Sequence, residues 1–163
     1  MQNLIIRAIA PGDNAALAVI IRKALEEFGA AKPGTVYYDD STDHLFELFN
    51  ATPCAEYFTA EYNGTIVGGA GIFPTEGLPA NTCELVKMYL TPSARGTGLG
   101  RTLIAHCLET AAAAGFEQVY LETMPELKQA VRVYEKFGFN YLTAPIGNTG
   151  HDGCGIWMLK QIA

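Results

Sequence analysis

The chain has 163 residues, of which 49% are hydrophobic and 17% charged, which is typical of one globular domain over residues 1–163 rather than of a disordered chain. Its formal net charge of −6 argues against a nucleic-acid-binding protein, which needs a clustered basic face. No apolar run approaches the roughly 18 residues of a membrane span, and the apolar stretch at the start is too short for an export signal, so we expect no membrane association and a cytoplasmic location.

The first part of the chain predicts one strand and two helices. A strand over residues 4–8 is followed by a helix that ends at Gly29 and carries apolar side chains at helical spacing, namely Leu17, Ile20, Ile21, Ala24, Leu25 and Phe28. A short second helix, capped by Asp40 or Ser41, is predicted up to Leu48.

A β-hairpin and a third strand follow these helices. Two β-rich runs, residues 56–62 and 65–73, flank Asn63-Gly64, and this dipeptide between two such runs is a strong hairpin signal. After a loop rich in Pro and Gly, residues 82–90 form the next predicted strand.

The last third alternates helices and strands. A glycine-rich turn opens a helix that ends at Gly115, and residues 119–121 form a short buried strand. The pattern Thr123-x-x-Glu126 resembles a capping box that opens another helix, which ends at Gly138. Two final strands are expected, over residues 139–142 and 155–159.

The predicted order is therefore β-α-α-β-β-β-α-β-α-β-β, which indicates an α/β (α+β) fold with a mixed sheet and helices on its faces. Cysteines and histidines are scattered along it and no Cys-x-x-Cys pair exists, so the sequence predicts no metal site and no disulfide framework.

The glycine-rich turn, residues 95–101 (RGTGLGR), lies between a predicted strand and a predicted helix. Its glycines let the backbone turn tightly and approach a ligand closely. Free N–H groups at a helix start, together with the helix dipole, bind phosphate oxygens, and Arg95 and Arg101 would add charge-assisted contacts. The turn is therefore a candidate phosphate site.

Two common phosphate loops do not fit this turn. The dinucleotide fingerprint Gly-x-Gly-x-x-Gly, begun at Gly96, would need glycine at position 101, which is arginine. A P-loop ending at Thr102 would need glycine at position 95 and lysine at position 101.

The turn resembles instead a signature of the GNAT family of N-acetyltransferases, Gln/Arg-x-x-Gly-x-Gly/Ala, here Arg95-x-x-Gly98-x-Gly100. Residues 84–92 are similar to that family's fourth strand, and residues 130–139 to its Ala-x-x-x-Tyr-x-x-x-Gly-Phe helix end. The resemblance covers residues 65–140. It implies a mostly antiparallel sheet of six to seven strands and acetyl transfer from the co-substrate acetyl-CoA to an amine.

The resemblance also assigns the cofactor contacts. It implies that backbone groups of the fourth strand bind the pantetheine arm, at Met88, Tyr89 and Leu90. It implies that the turn binds the pyrophosphate, through Arg95, Gly96, Thr97, Gly98, Leu99, Gly100 and Arg101.

Tyr134 is the candidate acid. It shares a helical stripe with Leu127, Ala130 and Phe137, so its ring should face inward, and spacing alone leaves a core tyrosine as the alternative. In the family the matching tyrosine reaches the thioester sulfur, which implies that Tyr134 protonates the departing thiolate.

Glu84 is the candidate base, acting directly or through a water, with a solvated carboxylate at the strand edge as the alternative. Regular pleating would place it on one face with Val86, Met88 and Leu90. A bulge, which the family often has here, would break that alternation.

Three points stay open at this level. Many family members carry asparagine seven residues before the tyrosine, where this chain has Leu127, so that contact is not carried over. The acceptor is expected to be a small-molecule amine, with a protein lysine or N-terminus, or a non-catalytic acyl-CoA sensor, as alternatives, and a homodimer is compatible with the family. Residues placed to line an acceptor site are Glu26, Glu27, Tyr37, Tyr38, His44, His151 and Asp152.

Overall fold

One mixed β-sheet organises the protein. The structure, a computed structural model, describes residues 3–163. Its strands are β1 (Leu4–Ala8), β2 (Glu56–Tyr62), β3 (Thr65–Phe73), β4 (Thr82–Leu90), β5 (Gln118–Thr123), β6 (Asn140–Leu142) and β7 (Ile156–Gln161). Its α-helices are α1 (Asn14–Glu27), α2 (Leu45–Ala51), α3 (Leu99–Ala113) and α4 (Lys128–Lys136).

This arrangement confirms the predicted fold class. The order β-α-α-β-β-β-α-β-α-β-β matches the prediction, and the seven strands lie in the order β1-β2-β3-β4-β5-β7-β6. Only β4 and β5 pair in parallel within the described residues; the other neighbours are antiparallel. Several strand ends differ from the predicted ones by one or two residues, as is usual for boundaries.

The prediction for the second helix was wrong at its start. Residues Asp40–Asp43 form a short 3-10 turn, and α2 begins only at Leu45. The cause is a local hydrogen bond, because the buried Thr42 hydroxyl donates to the carbonyl of Val36 at 2.7 Å and ties the turn to the preceding loop.

The predicted capping box at Thr123 and Glu126 was also wrong. Thr123 ends β5 and pairs with Ile156 of β7, so its backbone belongs to the sheet. Glu126 forms an ion pair with Lys32 in the loop after α1, and α4 starts at Lys128. Neither residue caps α4, because Thr123 pairs within the sheet and Glu126 pairs with Lys32.

Helices cover both faces of the sheet and bury separate apolar clusters. On one face α3 and α4 pack over a cluster that includes Leu103, Ile104, Cys107, Val119 and Leu121. On the other face, apolar side chains of α1 and α2 pack together with Tyr57 of β2, namely Leu17, Ile21, Leu25, Leu45 and Phe49. Each such side chain contributes about 1.5–3 kcal/mol relative to exposure. Between residues 3 and 163, no helix is both long and apolar enough to cross a membrane.

Strands β4 and β5 separate soon after they meet. Their pairing runs only from Thr82 with Gln118 to Glu84 with Tyr120, whereas β4 itself continues to Leu90. The sheet therefore opens into a wedge between the later part of β4 and the end of β5.

A β-bulge in β4 lies beside this opening. Gly71 of β3 pairs with Val86, but Gly69 pairs with Tyr89, so β4 contains one extra residue between these pairs. Lys87, within the bulge, has a φ of 52°, a left-handed conformation that is uncommon for a residue with a side chain.

The bulge breaks the alternation of side chains along β4. Val86 and Tyr89 pack with the cluster under α1 and α2, whereas Met88 and Leu90 pack with the cluster under α3 and α4. Regular pleating would place Glu84 on one face of the sheet with Val86, Met88 and Leu90. The bulge prevents this arrangement, because Met88 and Leu90 do not share a face with Val86.

Candidate active site

The wedge between β4 and β5 holds a cavity of about 700 Å³. This volume lies in the range of small-molecule and cofactor sites. Its wall includes Glu84 and Tyr134, the predicted catalytic residues. It also includes most of the predicted cofactor residues, namely Met88, Tyr89, Leu90, Arg95, Gly96, Thr97, Gly98, Gly100 and Arg101.

The glycine-rich turn closes one end of the cavity. Gly96 and Gly98 have φ values of 74° and 91°, and Gly98 directly precedes α3. Gly98 has no side chain to cap this helix, and the N–H of Leu99 donates to the hydroxyl of Thr97 at 3.4 Å. No described group accepts from the N–H groups of Gly100 and Arg101, which stay available to a ligand. Leu99 does not line the cavity, because its side chain is only 4% exposed and packs under α3.

The side chain of Arg95 is already engaged by protein. Its guanidinium donates to Glu27 at 2.6 Å and to the carbonyl of Leu90 at 3.1 Å, and it lies 4.8 Å from the centre of the Phe28 ring. Arg95 therefore ties the turn to the end of α1 and to the end of β4.

A row of cations on α4 was missed by the sequence analysis. Lys128, Arg132 and Lys136 repeat every four residues, which places them on one side of the helix, and all three line the cavity together with Arg101. Their spacing was visible in the sequence, but their position in the same cavity as the turn depends on the sheet.

Tyr134 has the environment of a side chain that stays protonated. It is 7% exposed, and its ring packs edge-on against Phe139, with the ring centres 5.9 Å apart. Burial raises the pKa of Tyr134 above its ordinary value, with a smaller contribution from the Cys107 thiol. No described residue forms a hydrogen bond with its hydroxyl, which leaves the O–H free for a ligand.

Glu84 also lines the cavity and is only 6% exposed. Burial, with a contribution from the nearby charge of Glu122, raises the pKa of Glu84 to about 7. A hydrogen bond from Thr75 at 2.6 Å opposes this shift, as do the charges of His151 and Lys87. The solvated-edge alternative for Glu84 therefore does not describe the structure.

Two loops wall the cavity beside Glu84. The imidazole Nε2 of His151 lies 2.6 Å from a carboxylate oxygen of Asp39, and the N–H of Gly153 donates to the carbonyl of Gly34 at 3.0 Å. Burial, the largest single cause, would raise the pKa of Asp39, but the hydrogen bond with His151 and the charges of His151 and Lys87 together hold that pKa below its ordinary value.

Most residues proposed for the acceptor site lie elsewhere. The cavity wall contains His151 but not Glu26, Glu27, Tyr37, Tyr38, His44 or Asp152. Glu27 pairs with Arg95, and the hydroxyl of Tyr37 donates to Glu26. Leu127, at the asparagine position, lines the cavity with an apolar side chain.

Several polar residues of the wall were not predicted from the sequence, among them Thr35, Lys87 and Glu122. The carboxylate of Glu122 accepts hydrogen bonds from Tyr120 at 2.6 Å and from Thr149 at 2.7 Å. No group of three or more His, Cys, Asp or Glu side chains within residues 3–163 is placed to hold a metal ion.

Comparison with known proteins identifies the class. The model of the acetyltransferase (GNAT) family matches residues 21–139. The N-acetyltransferase YjgM of Escherichia coli (strain K12) is 38% identical over 162 residues, which are 99% of this chain and 96% of the relative. The chain belongs to the GNAT family and is an N-acetyltransferase.

Solved structures show the same fold. A GNAT-family acetyltransferase from Staphylococcus aureus Mu50 superposes with a TM-score of 0.83 at 16% identity, covering 99% of this chain and all of the other (100%). The yncA protein of Salmonella typhimurium, whose structure contains its cofactor acetyl-CoA, superposes with a TM-score of 0.75 at 23% identity, covering 99% and 95%.

The raised pKa of Glu84 predicts a pH-dependent cost in stability. The folded state, with a pKa of about 7 against an ordinary value of 4.5, binds the proton more tightly, so stability falls as pH rises between these values. At about 1.4 kcal/mol for each pKa unit, the cost above pH 7 is roughly 3 kcal/mol. Glu84→Gln should therefore raise Tm more at pH 8 than at pH 5.

Glutamine keeps an oxygen that accepts from Thr75 and does not ionise. The control is Glu117→Gln, at an exposed glutamate outside the cavity wall, which should leave the Tm profile unchanged. Parallel Tm profiles for Glu84→Gln and the unsubstituted protein from pH 5 to pH 8 would show that the pKa of Glu84 is ordinary.

Proposed function

We propose that this protein transfers the acetyl group of acetyl-CoA to the primary amine of a small molecule, such as an amino acid or a related amine. The observation that carries the proposal is that one cavity brings together the glycine-rich turn, Tyr134 and Glu84.

We further propose that residues 1–163 act as one domain. The four cysteines are free thiols, three of them buried, which supports a reducing compartment such as the cytoplasm.

The end of the cavity at the turn fits the phosphates of coenzyme A. N–H groups at the start of α3 and the helix dipole attract an anionic diphosphate. Arg101, Lys128, Arg132 and Lys136 supply cations around it, so the binding does not need the side chain of Arg95, which is paired with Glu27. The acetyl-CoA in the structurally similar yncA supports the same co-substrate here.

The later part of β4 suits the pantetheine arm. From Leu85 to Leu90 this strand has no partner on the side of β5, because the two strands have separated. An extended chain with amide groups can bind such a strand as an added strand would. Met88, Tyr89 and Leu90 line the cavity at this edge.

Acetyl-CoA supplies an activated thioester, whose carbonyl carbon the amine attacks and whose bond to sulfur then breaks. Glu84 takes a proton from the incoming amine, directly or through a water, and its pKa of about 7 suits a base at neutral pH. Tyr134 donates its hydroxyl proton to the departing thiolate, and the product is the free thiol of CoA.

The walls on the acceptor side support a small acceptor over a protein. The contacts between His151 and Asp39 and between Gly153 and Gly34 join the two loops over this part of the cavity.

A homodimer stays a prediction. The exposed side chains of Leu4 and Ile5, on edge strand β1, provide apolar surface that a second copy would cover.

The function is tested by measuring free thiol released from acetyl-CoA in the presence of a panel of primary amines. We expect saturable release with at least one small amine. Tight binding of acetyl-CoA by calorimetry, without thiol release for any amine, would instead favour an acyl-CoA sensor.

Two glycines provide a matched pair for the binding step. Gly98 and Gly115 have φ values of 91° and 93°, and an added Cβ at either would meet nothing within 4 Å. Gly98→Ala and Gly115→Ala should thus cost similar backbone strain, but only Gly98 lies at the proposed phosphate site. Gly98→Ala alone should weaken CoA binding, by about 10-fold or more for a lost charge-assisted contact.

Tyr134→Phe removes the proposed acid while keeping the ring. We expect kcat to fall at least ~10-fold, within the usual range for a lost general acid, with little change in the Kd of acetyl-CoA. Tyr141→Phe, at an exposed tyrosine whose hydroxyl bonds to Glu135, is the control and should retain kcat. An unchanged rate in Tyr134→Phe would exclude this hydroxyl from the mechanism.

The role of Glu84 as base predicts the shape of the pH–rate profile. Because the carboxylate must be ionised to accept a proton, kcat/KM should rise with pH through a pKa of about 7. Glu84→Gln should lose that limb and retain only the titration of the amine itself. A limb near pH 7 that persists in Glu84→Gln would assign it to another group.

A further inference from the structure

Lys87 is a cation of the cavity wall for which the protein supplies no partner. It lines the cavity on the acceptor side, yet none of residues 3–163 forms a salt bridge or hydrogen bond with its ammonium group. Burial lowers the pKa of Lys87, and the charges of Asp39 and Glu84 oppose this effect without reaching contact distance. A cation held partly out of water gains most from a bound anion.

A left-handed backbone conformation, fixed by a hydrogen bond from the core, positions Lys87 in the cavity wall. Its left-handed conformation, with a φ of 52°, costs an ordinary residue roughly 1–2 kcal/mol. The hydroxyl of Tyr57, a fully buried side chain, donates to the carbonyl of Lys87 at 2.8 Å and so fixes the bulge. The buried Tyr57 thus holds Lys87 in its strained backbone conformation. Strain of this kind is concentrated at functional sites.

The nearby carboxylates differ from Lys87 because each already has a protein donor. Asp39 pairs with His151 at 2.6 Å, Glu84 accepts from Thr75 at 2.6 Å, and Glu122 accepts from two hydroxyls. These acidic groups favour the ammonium form of an incoming amine. Lys87 is the group in this wall that favours an anion.

We infer that the acceptor carries a carboxylate as well as its primary amine, and that Lys87 binds this carboxylate. The inference rests on the proposed function and narrows its acceptor to amino acids and related amino carboxylates. A carboxylate fits better than a phosphate, because one cation balances one negative charge, whereas a dianion would also be repelled by Glu84 and Glu122. Polyamines are disfavoured, since Lys87 would repel a second ammonium group.

The test uses matched acceptors, namely a panel of amino acids and the primary amide of each one. The quantity measured is the ratio of kcat/KM for the acid to kcat/KM for its amide, from thiol release. For the unsubstituted protein we expect a ratio of about 10 or more, the worth of one hydrogen bond to a charged group. Comparing this ratio between variants cancels the intrinsic difference in amine reactivity.

Lys87→Met keeps the length and removes the charge. We expect it to lower the ratio by about 10-fold relative to the unsubstituted protein, mainly by raising KM for the acid, and we expect Lys87→Arg to lower it less. Lys23→Met, at an exposed lysine outside the cavity wall, is the matched control and should leave the ratio unchanged. An unchanged Kd for acetyl-CoA in Lys87→Met would show that the variant is folded.

The possible failures are distinguishable. Turnover of amides and acids with the same ratio in the unsubstituted protein and in Lys87→Met would overturn the role of Lys87 and leave the proposed function intact. Thiol release with other primary amines of the general panel, but with no amino acid, would overturn the inference alone. Absence of thiol release with every primary amine would overturn the proposed function, and the inference would fall with it.

Discussion

Strands β4 and β5 pair over their first residues and then diverge, and the cavity lies in the gap between them. After the pair formed by Glu84 and Tyr120, the later part of β4 has no neighbour on that side. Buried backbone groups without partners are costly, so this edge favours a ligand that supplies amides. The turn at one end of the wedge, α4 above it and the two joined loops beside it define the cavity that the opening creates.

The charged side chains that line the cavity are unevenly distributed, which the net charge of the chain does not show. Arg101 and the row of cations on α4 line the same cavity as the glycine-rich turn, although the whole protein carries a formal charge of −6. Beside Glu84, the charges of Asp39 and Glu84 act on the ammonium group of Lys87, which has no partner among the described residues. Under the proposed function, a diphosphate would bind at the turn and an amine beside Glu84, which would orient a two-substrate transfer.

The sequence was informative wherever a function depends on short-range spacing. The turn from Arg95 to Arg101 and the position of Tyr134 follow from local patterns, and the structure brings both to one cavity. Thr123 failed as a helix cap because sheet pairing, a long-range contact, decided its conformation. Lys87 went unnoticed for the same reason, since its significance depends on a bulge and on loops more than 40 residues away in sequence.

Burial raises the pKa of both proposed proton-transfer groups, and in each case the higher pKa suits the proposed role. Removal from water disfavours the charged form of any acid, so it raises the pKa of both Tyr134 and Glu84. For the tyrosine this keeps the proton that the thiolate needs. For the glutamate it produces a base matched to neutral pH, where an ordinary carboxylate would be too weak. In the proposed mechanism, burial therefore keeps the proton on Tyr134 and prepares Glu84 to accept one, and its cost in stability falls on the carboxylate.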